Sequence, residues 1–351
     1  MAAPARRRLA YIDALNVIAS FAVVMLHLNY CVWLGPEGPS WVSAIIIETL
    51  FVWAVPVFFM NTGTTLMDYR KRMSTKEFFR RRFERTVVPW VFWSLMGLAF
   101  TCYLASEFGT AEMPYLGPRS IFNDIAESKY IEFYWFFPAL FSMYLSLPVL
   151  SALKNRDSSF RYIIAMGILF SGVLPLVGKL INTSSLGSFA PPMALGYTLY
   201  VLIGYQLSHW KPSRQQRLGI YAAGVVGWLA QLAGTMALST VEAGVSTVFK
   251  GQFSPFAVAQ AVAVYVLVRH AGIDEAIAAR PALGKALQTL SSVTFGIYLM
   301  HWFVLRWVQN TMDPDPHDLA FRLLGAFAIY WLCAGFTFLL KRIPVVRRIV
   351  P

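Results

Sequence analysis

AYIDALNVIASFAVVMLHLNYCVWL, residues 10–34, decides how the rest of the chain is read. It is long and apolar enough to cross a bilayer, which takes about 20 predominantly apolar residues. Yet it carries Asp13, Asn16, Ser20 and His27. At about 100° per residue these four fall within roughly 60° of one another, a stripe along one helix face. A polar group in hydrocarbon costs several kcal/mol without a partner, so such a stripe faces the protein interior or a wet cavity. Either His27 is a packing histidine bonded to a neighbouring carbonyl, or the helix borders a reaction site.

The rest of the chain has the same apolar character. Of its 351 residues 57% are hydrophobic and 14% charged, with a mean hydropathy of +0.54. Soluble domains carry about 25% charged residues, so the composition indicates an integral membrane protein. The net charge of +12 reflects the lysine and arginine that cytoplasmic loops retain, and nucleic acid is not implied as a partner. Cys31, Cys102 and Cys333 sit in apolar segments and form neither a disulfide framework nor a metal-spaced cluster. The opening MAAPARRR leads into the first span without a small-x-small cleavage site.

The apolar segments predict an all-α polytopic helix bundle of about ten transmembrane helices, one domain over 1–351. The segments are 10–34, 41–66, 86–106, 133–153, 162–181, 193–208, 218–240, 254–269, 290–308 and 319–340. An even number of crossings puts both termini on one side. With the N-terminus inside, 24 of the 30 lysines and arginines fall in inside segments, so both termini are expected in the cytoplasm. Residues 270–289 read as an amphipathic helix on the membrane surface, interrupted by Pro281.

Two constellations carry chemistry. Counted from the outer ends of their segments, His27, Glu48 and His301 all lie seven residues in, about 10 Å deep at a rise of about 1.5 Å per residue. A Glu48 carboxylate beside His27 would orient the imidazole and raise its basicity. The second constellation is RKRMSTKEFFRRRFER, residues 70–85, with eight positive charges. Arg82 and Arg85 stand i, i+3 and share a helix face, and paired guanidinium forks suit phosphate groups. An anchor against anionic lipid is the plainer reading of the charge but not of the register. Asn61, Tyr144 and Tyr298 are polar groups within spans able to donate to an oxyanion. Tyr134 and Trp135 fit an interfacial aromatic belt or a platform for a sugar ring.

With these pieces in place the chain resembles the integral-membrane acyltransferases of family 3, especially the branch that O-acetylates surface polysaccharides. The matching stretches are YIDALNVIASFAVVMLH (11–27), VPVFFMNTG (55–63), FFRRRFERTVVPW (78–90), FYWFFPALFSMYLSLPVL (133–150) and FGIYLMH (295–301). The resemblance implies a bacterial inner-membrane enzyme that moves an acyl group, usually acetyl, from cytoplasmic acyl-CoA to a hydroxyl of a cell-surface or lipid-linked glycan. It maps the family histidine onto His27, the Arg-x-x-Arg motif onto Arg82 and Arg85, and FF-x-x-x-G onto Phe58, Phe59 and Gly63. Where relatives carry a basic residue eleven positions before the histidine, this chain has Asn16. Arg81 or another arginine of the 80–85 cluster is then expected to take over that cation's task, holding the CoA phosphates or the acceptor. No permanently bound cofactor is implied, and a homo-oligomer is compatible with the reading.

His27 as general base for direct attack on the thioester is the expected mechanism, and an acyl-histidine relay is the close alternative. From other function classes, a proton-coupled transporter using His27, Glu48 and His301 fits the span count, and a non-catalytic glycan-passing subunit fits the topology. The arginine register favours a nucleotide donor.

Overall fold

Prolines decide where several helices of this chain stop. The computed structural model describes residues 9–36, 38–154, 157–183 and 196–351, and every regular element over them is helical. Helix α1 (Ala10–Leu28) is followed, after a 3-10 turn at Tyr30–Trp33, by α2 (Gly38–Phe51) and α3 (Ala54–Leu66). The break falls at Val52 and Trp53 because Pro56 lacks an amide donor and its ring crowds the carbonyl four residues back. Helix α4 (Thr75–Arg82) passes through a wide π turn (Phe83–Val87) into α5 (Val88–Glu107), and that turn opens just ahead of Pro89.

After α6 (Pro118–Ala126) and α7 (Phe136–Leu153), the device recurs. Helix α8 (Asp157–Ile168) meets α9 (Leu174–Leu180) through a π turn at Leu169–Val173, ahead of Pro175. The remaining helices are α10 (Thr198–His209), α11 (Arg214–Leu238), α12 (Pro255–Arg269), α13 (Ile273–Ala279), α14 (Pro281–Met312) and α15 (Ala326–Leu340).

Among the described residues eight helical stretches are long and apolar enough to cross a membrane, as a multi-pass membrane protein requires. Two of the ten expected segments are not among them. Segment 193–208 begins outside the described residues and continues as α10, only 12 residues long. Segment 290–308 lies within the 32-residue α14, whose Ser291, Ser292, Thr294 and His301 dilute its apolar character. The segment 270–289 is helical and broken at Pro281, as the sequence indicates: α13 ends at Ala279, and Pro281 opens α14, since its missing N–H costs nothing at a first helical position.

The chain divides into two units, residues 1–72 with 146–291, and residues 73–145 with 292–351. In the first, α1 packs on α2, α3, α12 and α13, while α3 lies along α10 and α11 along α12. The α2–α3 break frees backbone carbonyls, and Gln260 of α12 answers them: its Nε2 donates to Thr49 O at 3.1 Å and Leu50 O at 3.2 Å. Gln231 Nε2 of α11 donates to Gln260 Oε1 at 3.2 Å, joining three helices through one amide chain. In the second unit, Phe137 and Phe141 of α7 pack against Trp90 of α5, and Trp93 Nε1 donates to Ile349 O at 2.9 Å.

Gly63 of α3 and Gly204 of α10 set the tightest helix contact in the first unit. A Cβ at Gly63 would lie 1.9 Å from Val201 O, and one at Gly204 would lie 2.2 Å from Met60 O. Both obstacles are backbone, so no side chain can swing aside. Gly63→Val and Gly204→Val are each expected to cost about 3 kcal/mol, the upper end for overpacking. Thermal melts of detergent-solubilised protein check this, and a melting temperature equal to wild type would refute the contact.

Candidate active site

His27 stands in the last turn of α1, half-buried. Two residues later the α1–α2 corner is pinned by Asn29, fully buried, whose Nδ2 donates to Ala44 O at 2.7 Å. One turn along α2 from Ala44 stands Glu48. Its carboxylate is claimed by a residue that the sequence reading did not single out: Lys250 Nζ donates to Glu48 Oε1 at 2.7 Å. Lys250 is 5% exposed, and its ammonium sits 3.8 Å from the ring centroid of Trp33, which is 52% exposed. Glu48 is thus the counter-ion of a buried lysine capped by an indole.

The loop that supplies Lys250 is held from both ends. Thr240 and Gly244 exchange backbone hydrogen bonds at 3.3 and 2.8 Å, and Ser246 N donates to Ser239 Oγ at 2.9 Å. Further along, the hydroxyls of Tyr197 and Tyr200 donate to the side chain and the backbone carbonyl of Gln252. Tyr197 stacks on Phe59 of the FF-x-x-x-G stretch at 4.3 Å.

Along α1, the stripe read from the sequence is buried at two of its positions and half-buried at Asn16 and His27. Asp13 and Ser20 are buried, and Ser20 Oγ donates to Val17 O at 2.9 Å. Asn16 meets Asn61 of α3, whose Nδ2 donates to Asn16 Oδ1 at 2.9 Å. Two residues expected separately at the site are therefore hydrogen-bonded to one another.

The second unit holds the remaining candidates. Arg81 is paired with Glu77 at 2.7 Å, a carboxylate it shares with Arg80. Arg82 is half-buried between the rings of Phe78 and Tyr144, 5.8 Å from each centroid, and its Nε has no partner among the described residues. Arg85 is exposed. The shared face expected for Arg82 and Arg85 is corrected by the π turn, which holds more residues per turn and rotates Arg85 away. Pro89 is the cause, because its ring clashes with the Arg85 carbonyl in a regular helix. Lys341, just past α15, donates to Ser292 O at 2.8 Å. Burial, and then the positive charge of Arg85, pull its ammonium below the usual lysine range.

Tyr134 and Tyr298 bond to backbone. Tyr134 Oη donates to Leu299 O at 2.8 Å, and Tyr298 Oη donates to Phe133 O, a reciprocal clasp between α14 and the 3-10 turn at Glu132–Trp135. The Tyr298 hydroxyl proton is committed, unlike the free donor expected for an oxyanion. His301 is fully buried, stacked on Phe133 at 5.3 Å, and its Nδ1 faces Ile297 O at 3.1 Å and Tyr298 O at 2.8 Å. That geometry sets the Nδ1–H tautomer. Trp135 is exposed. Beside this group Glu132, also missed in the sequence, accepts from Trp302 Nε1 at 2.7 Å and pairs with Arg306.

Lys250→Met leaves the Glu48 carboxylate buried and unpaired, at an expected cost of about 3–5 kcal/mol. Adding Glu48→Gln is expected to restore most of that loss in thermal melts. A double variant no more stable than the single would show that the pair does not exist as described.

Comparison with curated proteins and with solved structures returns no match. Residues 9–341, nearly the whole chain from the start of α1 to the end of α15, match the family described as an acyltransferase domain. The match spans every stretch on which the resemblance rested, and the chain therefore belongs to acyltransferase family 3, a family of membrane-embedded acyl-transfer enzymes.

Proposed function

We propose that this acyltransferase takes its acyl group, acetyl in the simplest case, from acyl-CoA on the cytoplasmic side of a bacterial inner membrane. It delivers that group to a hydroxyl of a cell-surface or lipid-linked glycan. The observation that carries the reading is the polar face of α1, on which Asp13 and Ser20 are buried and Asn16 and His27 half-buried. A membrane helix keeps such a face only where neighbouring protein or a cavity receives it.

The chemistry follows from the weakness of the acceptor. A sugar hydroxyl attacks a thioester only as its proton leaves, and imidazole, with an unperturbed pKa of about 6.5, is suited to take it. The acceptor oxygen bonds to the acyl carbon and its proton passes to His27. The carbon–sulfur bond then breaks, and the proton goes from the imidazolium to the departing thiolate of CoA.

Arg82 and Arg85 are assigned to the donor phosphates. The unpartnered Nε of Arg82 supports this, since a guanidinium N–H without an acceptor is ready for a phosphate oxygen. Lys341 adds a third cation close to Arg85. Arg81 is the weaker candidate, because its charge already serves Glu77. On the acceptor side, the half-exposed Trp33 over Lys250 joins an aromatic face to polar groups, a combination suited to a sugar.

Purified protein in detergent, where no gradient exists, is expected to release or transfer acetyl from labelled acetyl-CoA. His27→Ala is expected to lower that rate by about 10²–10⁴ with an unchanged melting temperature, the usual range for losing a general base. Near-wild-type turnover in His27→Ala would exclude the role. Arg82→Ala and Arg85→Ala are each expected to weaken acetyl-CoA binding about tenfold or more, as the loss of a charged hydrogen bond does. Unchanged binding would return both residues to anchoring.

A further inference from the structure

The corner where α10 ends, α11 begins and α12 ends gathers cations in a part of the chain that has no acids. From Ser158 to Val241 there is neither aspartate nor glutamate, yet Lys211, Arg214 and Arg217 fall within this stretch. Arg269 and His270 reach the same corner from the end of α12. Of the acids that follow on α13, Asp274 accepts from Ala10 N at 3.1 Å and Glu275 is exposed. Among the described residues neither Arg217 nor Arg269 makes an ion pair.

Arg269 nevertheless has a role of its own. Its Nη1 donates to Leu207 O and to Trp210 O at 2.6 Å, answering carbonyls at the end of α10. Arg217 is different. Its one hydrogen bond among the described residues runs from Nη1 to His270 Nδ1 at 3.1 Å. A guanidinium only donates, so Nδ1 accepts and the neutral ring carries its proton on Nε2. That Nε2 is buried and has no partner among the described residues. A cation thus leans on a neutral ring, and the ring's own N–H is left without an acceptor. Both lack the same thing, an anionic oxygen. Arg214 and Arg217 also stand in the first turn of α11, where the helix dipole favours negative charge.

The surroundings indicate what carries that oxygen. Leu218, next to Arg217, and Leu267, i, i+3 from His270, are both exposed, as is Trp210. Exposed leucines on membrane spans meet acyl chains, and a tryptophan beside basic residues is usual at the level of the headgroups. The ligand that fits is an amphiphile with an acidic head. We infer that Arg217 and His270 form a binding site for the headgroup phosphate of an acidic phospholipid such as phosphatidylglycerol. A free phosphate shares the charge but leaves the leucines unused, and a zwitterionic lipid brings a cation that this corner repels. The site is independent of the acyl-transfer chemistry.

The test titrates the purified full-length protein in detergent with phosphatidylglycerol, phosphatidylcholine or inorganic phosphate and follows binding and melting temperature. Wild type is expected to bind phosphatidylglycerol about tenfold or more tightly than phosphatidylcholine, and Arg217→Gln to lose about that factor, as the loss of a charged hydrogen bond does. Lys285→Gln, which removes an exposed charge elsewhere, is expected to change the affinity by no more than about twofold. Equal affinity for the two lipids, an equal loss in Lys285→Gln, or no loss in Arg217→Gln overturns the site. Inorganic phosphate that stabilises wild type but not Arg217→Gln, with the two lipids alike, overturns the lipid in favour of a free anion. Should Arg217→Gln fail to fold, wild type is cross-linked to phosphatidylglycerol carrying a photoreactive diazirine near its headgroup. Label within residues 210–221 or 266–271 supports the site, and label confined to other segments overturns it.

Discussion

Hydrocarbon offers no hydrogen bonds, and this chain is built around that lack. Any polar group that a span carries must be answered by another part of the protein. The α2–α3 break shows the rule at work. Pro56 frees carbonyls in the middle of a membrane-spanning stretch, Gln260 supplies two donors to them, and Gln231 completes the amide chain. The same rule explains the clasp of Tyr134 and Tyr298, each giving its hydroxyl proton to the other's segment. Satisfied groups hold the bundle. Among the described residues some buried polar atoms are left without a partner, Asn61 Oδ1 and Arg82 Nε among them.

Much of this was legible in the sequence. Composition and span length sufficed for an all-α membrane protein, and the stripe on α1 was readable because 3.6-residue periodicity converts spacing directly into a face. Gly63 stood in a recognised stretch, and the structure supplies its reason, a helix contact with no room for a Cβ. Other features escaped for physical causes. The spacing of Arg82 and Arg85 implies a shared face only in a regular helix, and the widened turn ahead of Pro89 breaks that regularity. The length of α14 was hidden because a polar-dotted helix lowers its own hydropathy.

Ion pairs were the least readable feature, since their partners are far apart in sequence. Glu48 and Lys250 are separated by 202 positions, and Glu132 and Arg306 by 174. A signal was nonetheless present. Lys250, Arg306 and Lys129 are among the six basic residues that the topology puts on the side where such residues are scarce. Each proves to be paired with a carboxylate: Glu48, Glu132 and Asp124 respectively. A cation that charge bias does not explain is worth tracing to a counter-ion.

The indole over Lys250 bears on how the protein meets its ionic medium. Dissolved ions screen exposed charges over a Debye length of about 8 Å at physiological strength, but reach buried pairs far less. Glu77 and its two arginines stand in solvent, with the arginine side chains 65% and 47% exposed. Lys250 and Glu48 lie beneath a tryptophan, with side chains 5% and 12% exposed. Rising salt therefore loosens the arginine cluster around Glu77 and leaves the lysine latch as it was. One ion pair is tuned by the electrolyte and the other is insulated from it.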